Sequence, residues 1–159
     1  MPAIRGLVVA VGDWYAKLLA ITLPRNMRHL SECYVATTPE DEEVKAVVAS
    51  VPGAKLFVTD AFHRPDANGV KPAFNKGHGI ELCFDFMGRH GWIWIWDADC
   101  LFPDSIPLAQ LRPGRLHGCR RRILDDPTRW HPGFNWREAT PCRDGGPIGF
   151  TQIFHCDDA

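Results

Sequence analysis

The stretch Trp92-Ile93-Trp94-Ile95-Trp96, followed at once by Asp97-Ala98-Asp99, constrains this chain more than any other. Aromatic and β-branched residues favour strands. A strand with no polar alternation is buried on both faces, as in a parallel sheet covered by helices. The chain must therefore supply helices for two sides of a sheet. Leu7-Val8-Val9-Ala10-Val11, ended by Gly12, reads as another doubly buried strand. Residues 33–37 and 55–59 are shorter β runs. Between them lie helical patterns. Residues 14–23 have helical apolar spacing and stop at Pro24. Thr38, Pro39 and the acids Glu40 and Asp41 open a helix that runs to about Ser50, closed by Pro52-Gly53. Residues 60–71 read as a polar loop, and residues 74–89 as the helix before the Trp-rich strand. Strands alternating with helices predict an α/β domain with a mixed, mostly parallel sheet flanked by helices.

The remainder is less regular. Residues 105–111 suggest a short helix, 116–122 a strand and 148–155 a last strand. Residues 123–147, rich in Pro, Gly, Trp and charge, read as a long loop. A length of 159 residues fits a single domain, 1–159. Eighteen basic against nineteen acidic residues leave a net charge of -1, so no global field draws the chain onto nucleic acid or anionic lipid. No apolar run approaches the ~18 residues of a membrane span. The first fifteen residues contain no export-type apolar segment, so a cytoplasmic location is expected. Six scattered cysteines without a CxxC pair predict reduced thiols. A zinc set of Cys119, Cys142, His155 and Cys156 would have no standard spacing.

Asp97 and Asp99, two apart in extended chain, point the same way. At the carboxyl end of a buried strand they face the crevice where open α/β sheets bind ligands. Uncompensated like charges are costly there. Two carboxylates suit Mg²⁺ or Mn²⁺, with phosphate oxygens and water completing the shell. A solvated turn is the alternative for so short a motif. Asn75 and Lys76 open a helix, where free N–H groups and the dipole favour phosphate. They also fit a plain cap and a surface lysine. Arg115, Arg120, Arg121 and Arg122 form a basic stretch; in a strand, Arg121 faces opposite to its two neighbours. One face could meet a diphosphate, or all could be solvated edge charges. Trp92, Trp94 and Trp96 read as core. Trp130, Phe134 and Trp136, in the long loop, suit either stacking on a ligand or packing of the loop itself.

Taken in order, Val8 to Val11, Pro72-Ala73-Phe74-Asn75-Lys76-Gly77, Trp94-Ile95-Trp96-Asp97-Ala98-Asp99 and Phe150-Thr151-Gln152-Ile153-Phe154-His155 resemble the nucleotide-sugar-binding half of GT-A glycosyltransferases. The family 2-like and galactosyltransferase-related group is the nearest in motif. The resemblance implies a GT-A-like, Rossmann-like fold. It also implies a metal-dependent glycosyltransferase, hexosyltransferase-like and inverting, with a nucleotide-sugar donor, a UDP-sugar first. Asp97 and Asp99 would hold Mn²⁺ or Mg²⁺, with His155 completing the metal site. Asn75, Lys76 and Arg121 would meet the diphosphate, and Phe74 would pack on the base or in the core. Asp13 and Asp60, at strand ends, would touch base or ribose, and Trp14 or Tyr15 would stack. The acceptor is open among polysaccharide, protein, small molecule and a modified DNA base, as is assembly into a homo-oligomer. Family members normally continue past the last strand into a segment carrying the catalytic base. Here Asp144, Glu138, Asp157 or Asp158 would serve, or another subunit, or the sequence is a truncated or minimal form, and no base is assigned. Two other readings compete: a nucleotide-sugar-binding module without transfer activity, and a nucleotidyltransferase. The latter is disfavoured by the absence of a Gly-rich phosphate loop after the first strand.

Overall fold

The Trp-rich segment is β4 (Trp92–Asp97), and it lies beside β1 (Ile4–Val9) in a five-stranded sheet. The computed structural model describes residues 3–65, 68–70, 74–119, 122–126, 129, 131, 133–142 and 151–158. With β2 (Glu32–Thr37), β3 (Ala54–Val58) and β7 (Thr151–His155), the strand order is β3-β2-β1-β4-β7. Every pairing is parallel except β4 with β7. This is a single α/β domain with a mixed, mostly parallel sheet. Two short strands, β5 (Arg122–Ile123) and β6 (Thr140–Pro141), pair in a separate ribbon.

Strand alternation sorts the core into two layers. Ile4, Val8, Trp94 and Trp96 face α1 (Asp13–Asn26) and α2 (Glu42–Ser50), where they meet Leu19, Leu23, Val44 and Val48. Leu7, Val9, Ile93 and Ile95 face α3 (Lys76–Met87), where they meet Cys83, Phe84 and Met87. Trp94 and Trp96 are fully buried. Phe102, beyond the end of β4, stacks on Trp94 with centroids 3.9 Å apart. Gly6 makes room for this: a Cβ there would lie 2.5 Å from the Trp96 ring.

Arg5 is also buried, and among the described residues no carboxylate pairs with it. Its guanidinium donates to the carbonyls of Met87 (2.6 Å), Gly88 (2.9 Å) and His90 at the foot of α3. Those carbonyls have no intrahelical donor, and a cation suits the negative end of the dipole.

Several boundaries differ from expectation. α1 continues through Pro24, which is exposed in the last turn, and closes when Met27 N–H bonds Leu23 O. Pro24 has no N–H to donate to Ala20 O, so the helix forfeits that one bond in its last turn. α2 starts at Glu42, not at Pro39, because Thr38 and Asp41 are engaged elsewhere. α3 ends at Met87, before Gly88 at φ 79°. The expected strand over 116–122 is, in its described part, a single bridge of His117 to Ile153 together with Arg122, the first residue of β5. The expected helix over 105–111 is a short 3-10 turn, Leu108–Gln110. Inside the long loop Phe134 is buried against Leu101, Leu124 and Trp136, so these aromatics pack the loop. Trp130 lies outside the described residues.

The last strand carries the main correction. β7 runs antiparallel to β4, and His155 pairs with Trp92 at the start of that strand. Five residues then separate it from the level of Asp97, about 16 Å along the sheet. His155 is not part of a metal site with Asp97 and Asp99. Its ring stands edge-on to Trp92 at 5.1 Å, and its Nδ1 lies 3.6 Å from Asp157.

Candidate functional site

At the carboxyl ends of β1 and β4, a cleft of about 260 Å³ opens. β1 and the turn after it supply Val9 and Val11, and β4 with its following turn supplies Asp97, Ala98 and Asp99. Lys76 and Phe74 enter from the start of α3, and Tyr15 from the first turn of α1. Parallel strands create this convergence: their ends leave the sheet at one edge, and each connection starts a helix above it.

Asp97 is half-buried and forms an ion pair with Lys76 Nζ, itself half-buried. Asp99 is exposed toward the cleft. A backbone bond from Cys100 N–H to Asp97 O, 2.8 Å, closes the turn that presents it. Cys100 Sγ lies 3.7 Å from Asp99 Oδ1. Burial, reinforced by the charges of Asp99 and Asp97, pushes the Cys100 thiol up to about 12. It is therefore a neutral thiol at pH 7, unsuited to act as a thiolate ligand. Among the described residues no three His, Cys, Asp or Glu side chains cluster as a metal cage. Two carboxylate oxygens from Asp97 and Asp99 fit a hard divalent ion only where the ligand's own oxygens and water fill the other positions.

Asn75 caps α3, its Oδ1 accepting from His78 N–H at 3.0 Å. Its side chain is thus committed to the helix, and Lys76 is the member of that pair that reaches the cleft. Phe74 is 45 % exposed and stacks on the fully buried Phe62, centroids 5.2 Å apart and 15° between planes. Phe62 O also accepts from Asn75 N–H at 2.8 Å. Gly79 on α3 gives Phe62 its seat, since a Cβ there would lie 2.0 Å from the ring. Phe62 was not foreseen, because it sits in a stretch whose composition reads as polar loop.

Asp13 and Trp14 are not among the residues lining the cleft. α1 begins at Asp13, and successive helical residues turn by about 100°. Tyr15 faces the cleft while Trp14 is 69 % exposed outside it. Asp60 lies in a second cleft of about 410 Å³, with Thr38, Glu40, His63 and Arg64, and pairs with Arg64 at 2.7 Å. Arg121 lies outside the described residues. Of the carboxylates considered as a base, Glu138 accepts from Asn135 at 3.1 Å. Asp157 stands beyond His155, at the sheet end away from the cleft. Asp144 lies outside the described residues.

Asp41, assigned from sequence to capping, holds the N-cap position of α2, but its side chain makes no capping bond to that helix. Its carboxylate accepts from Gly12 N–H (3.0 Å), Thr37 Oγ1 (2.8 Å) and Thr38 Oγ1 (2.9 Å), tying the β1–α1 turn to the end of β2. Burial pushes its pKa up, but the bonds from Thr37, Thr38 and Gly12 outweigh it and hold the carboxyl below its ordinary range.

The fold is similar to that of 4-diphosphocytidyl-2C-methyl-D-erythritol synthase from Anaerococcus prevotii, at a TM-score of 0.58 and 15% identity, over 98% of this chain and 72% of that one. A second structure of a 4-diphosphocytidyl-2C-methyl-D-erythritol synthase gives a TM-score of 0.55 at 13% identity, over 98% and 76%. At these identities the likeness is one of fold. No known family profile and no curated protein sequence matches this chain.

Proposed function

We propose that the chain is a divalent-metal-dependent glycosyltransferase that takes its sugar from a nucleotide sugar, a UDP-sugar before others. The observation that carries this is the meeting of Asp97, Asp99 and Lys76 in one cleft at the carboxyl ends of β1 and β4. Mn²⁺ or Mg²⁺ held by Asp97 and Asp99 would neutralise the charge that develops on a departing nucleoside diphosphate. Lys76 adds a full positive charge at the start of α3, where the helix dipole has the same sign. Phe74, backed by Phe62, and Tyr15 offer flat apolar surfaces for a base or sugar ring. The acceptor belongs to the open side of the cleft, and the catalytic base is unassigned.

A nucleotidyltransferase is the second reading. It is favoured by the two similar folds, whose name describes synthesis of a diphosphocytidyl-linked polyol. The two reactions release different products. Calorimetry with UDP, GDP and CMP, with and without Mn²⁺, tests the shared site. Donor assays then follow UDP from UDP-sugars and pyrophosphate from a nucleoside triphosphate with a sugar phosphate. UDP release, with inversion at the anomeric carbon read by NMR, is the expected result. Pyrophosphate release instead moves the assignment to the second reading. Metal-dependent binding with neither product marks a binding module, and no metal-dependent nucleotide binding rejects all three.

A further inference from the structure

α1 carries polar residues where a helix facing a core should be apolar. Thr22 is 3 % exposed and Asn26 is fully buried, and His29 follows one turn later in a short 3-10 extension. Their spacing, i, i+4 and i+7, places them on one face. Thr22 Oγ1 donates to Ala98 O at 2.8 Å. Asn26 Nδ2 donates to Cys100 O at 2.9 Å, and its Oδ1 accepts from Phe102 N–H at 3.0 Å. His29 Nε2 lies 3.0 Å from Pro103 O, which can only accept, so that nitrogen carries the proton. The stripe thus follows the chain from Ala98 to Pro103, bonding at Ala98, Cys100, Phe102 and Pro103.

What it holds is the segment that presents the two aspartates. The carbonyls of Ala98 and Cys100, two residues apart, turn toward α1. The side chains of Asp97 and Asp99, also two apart, line the cleft. Asp99 therefore sits between two backbone anchors, and Phe102, stacked on Trp94, fixes the segment below. Buried polar side chains cost stability unless fully bonded. Threonine and asparagine are also mediocre helix formers. An apolar stripe would pack α1 on the sheet as well, but would leave the turn without these anchors.

We propose that Thr22 and Asn26, with His29, are positioning residues that set where Asp97 and Asp99 meet the phosphates of a metal-bound nucleotide. This rests on the function proposed above. Outer-shell partners of ligand residues typically contribute 10- to 100-fold in metal affinity.

The test compares Thr22→Val, which keeps shape and loses the donor, with Thr22→Ser, which keeps the donor. Asn26→Ala is the second lesion. Val48→Ala, a core change on α2, controls for general loss of stability. UDP is titrated in the presence and absence of Mn²⁺, and amide exchange is followed at Asp99, Cys100, Leu101 and Phe102. The expected result is metal-dependent UDP binding weakened about 10- to 100-fold in Thr22→Val and Asn26→Ala. Thr22→Ser and Val48→Ala should bind as the unaltered chain does, and faster exchange should be confined to the four amides. Undiminished binding in Thr22→Val overturns the proposal while leaving the functional reading intact. If the unaltered chain shows no metal-dependent UDP binding, the functional reading fails instead. The exchange data then decide: unchanged protection of the four amides rejects the positioning role, and selective loss in Thr22→Val retains it.

Discussion

Asp99 and Asp97 lie two residues apart and have different tasks. Asp99 is exposed, so on the proposed function its removal should act on ligand binding rather than on stability. Asp99→Ala should abolish metal-dependent UDP binding, while stability stays within about 0.5 kcal/mol, as for other surface changes. Calorimetry with parallel thermal denaturation checks both. Asp97 is paired with Lys76, and Lys76→Met should weaken nucleotide diphosphate binding more than nucleoside binding, measured as the ratio of UDP to uridine affinity. Asp41 belongs to the scaffold. Its folded pKa lies below its unfolded value of ~3.9. Its stabilisation is therefore complete above that value and is lost as pH falls through the lowered folded value. Asp41→Asn should cost about 1–3 kcal/mol at pH 7. The deficit should close in acid, and a deficit independent of pH in thermal melts would contradict the assignment. The aspartate pair was legible in the sequence because strand, turn and carboxylates are contiguous. Tyr15 was not separable from Trp14, since a one-residue shift in a helix start rotates every side chain by ~100°.

The elements meet through close approaches that only glycine permits. Gly79 on α3 lets Phe62 lie against the helix, and Phe62 in turn carries Phe74 to the cleft. Gly79→Ala should destabilise the fold by about 1–3 kcal/mol through overpacking. It should also weaken nucleotide binding, because a displaced Phe62 ring disturbs Phe74, which stacks on it. Chemical denaturation and UDP titration on one preparation check this. Strand cores were readable from their apolar runs, and so was the existence of each long helix. The ends were harder. Pro24 looks like a stop yet falls within the last turn, which gives up the one bond a Pro24 N–H would have made. Thr38 and Asp41 look like caps for α2, yet Thr38 donates to the Asp41 carboxylate and that carboxylate reaches Gly12 in the β1–α1 turn, a contact between segments that local chemistry cannot announce. The polar stripe Thr22, Asn26 and His29 has helical spacing in the sequence, but its meaning depends on a segment more than seventy residues away.

For the whole molecule, sheet direction decides which residues share an end. β1, β2, β3 and β4 all deliver their carboxyl ends to one edge, and β7 delivers its own to the other. His155→Ala should therefore leave the Mn²⁺ dependence of UDP binding unchanged, which titration of Mn²⁺ at fixed UDP would read. The sequence could not reveal this, because the direction of a strand after a connection of more than fifty residues is set by tertiary packing, not by its own pattern. The buried Arg5 has a mechanical consequence. It pins the far end of α3 to β1 through three carbonyls. A helix of twelve residues is a stiff rod about 18 Å long. α3 thus works as a strut with its foot bolted to the central strand, and the axial position of Lys76 over the cleft is gauged from the opposite end of the sheet.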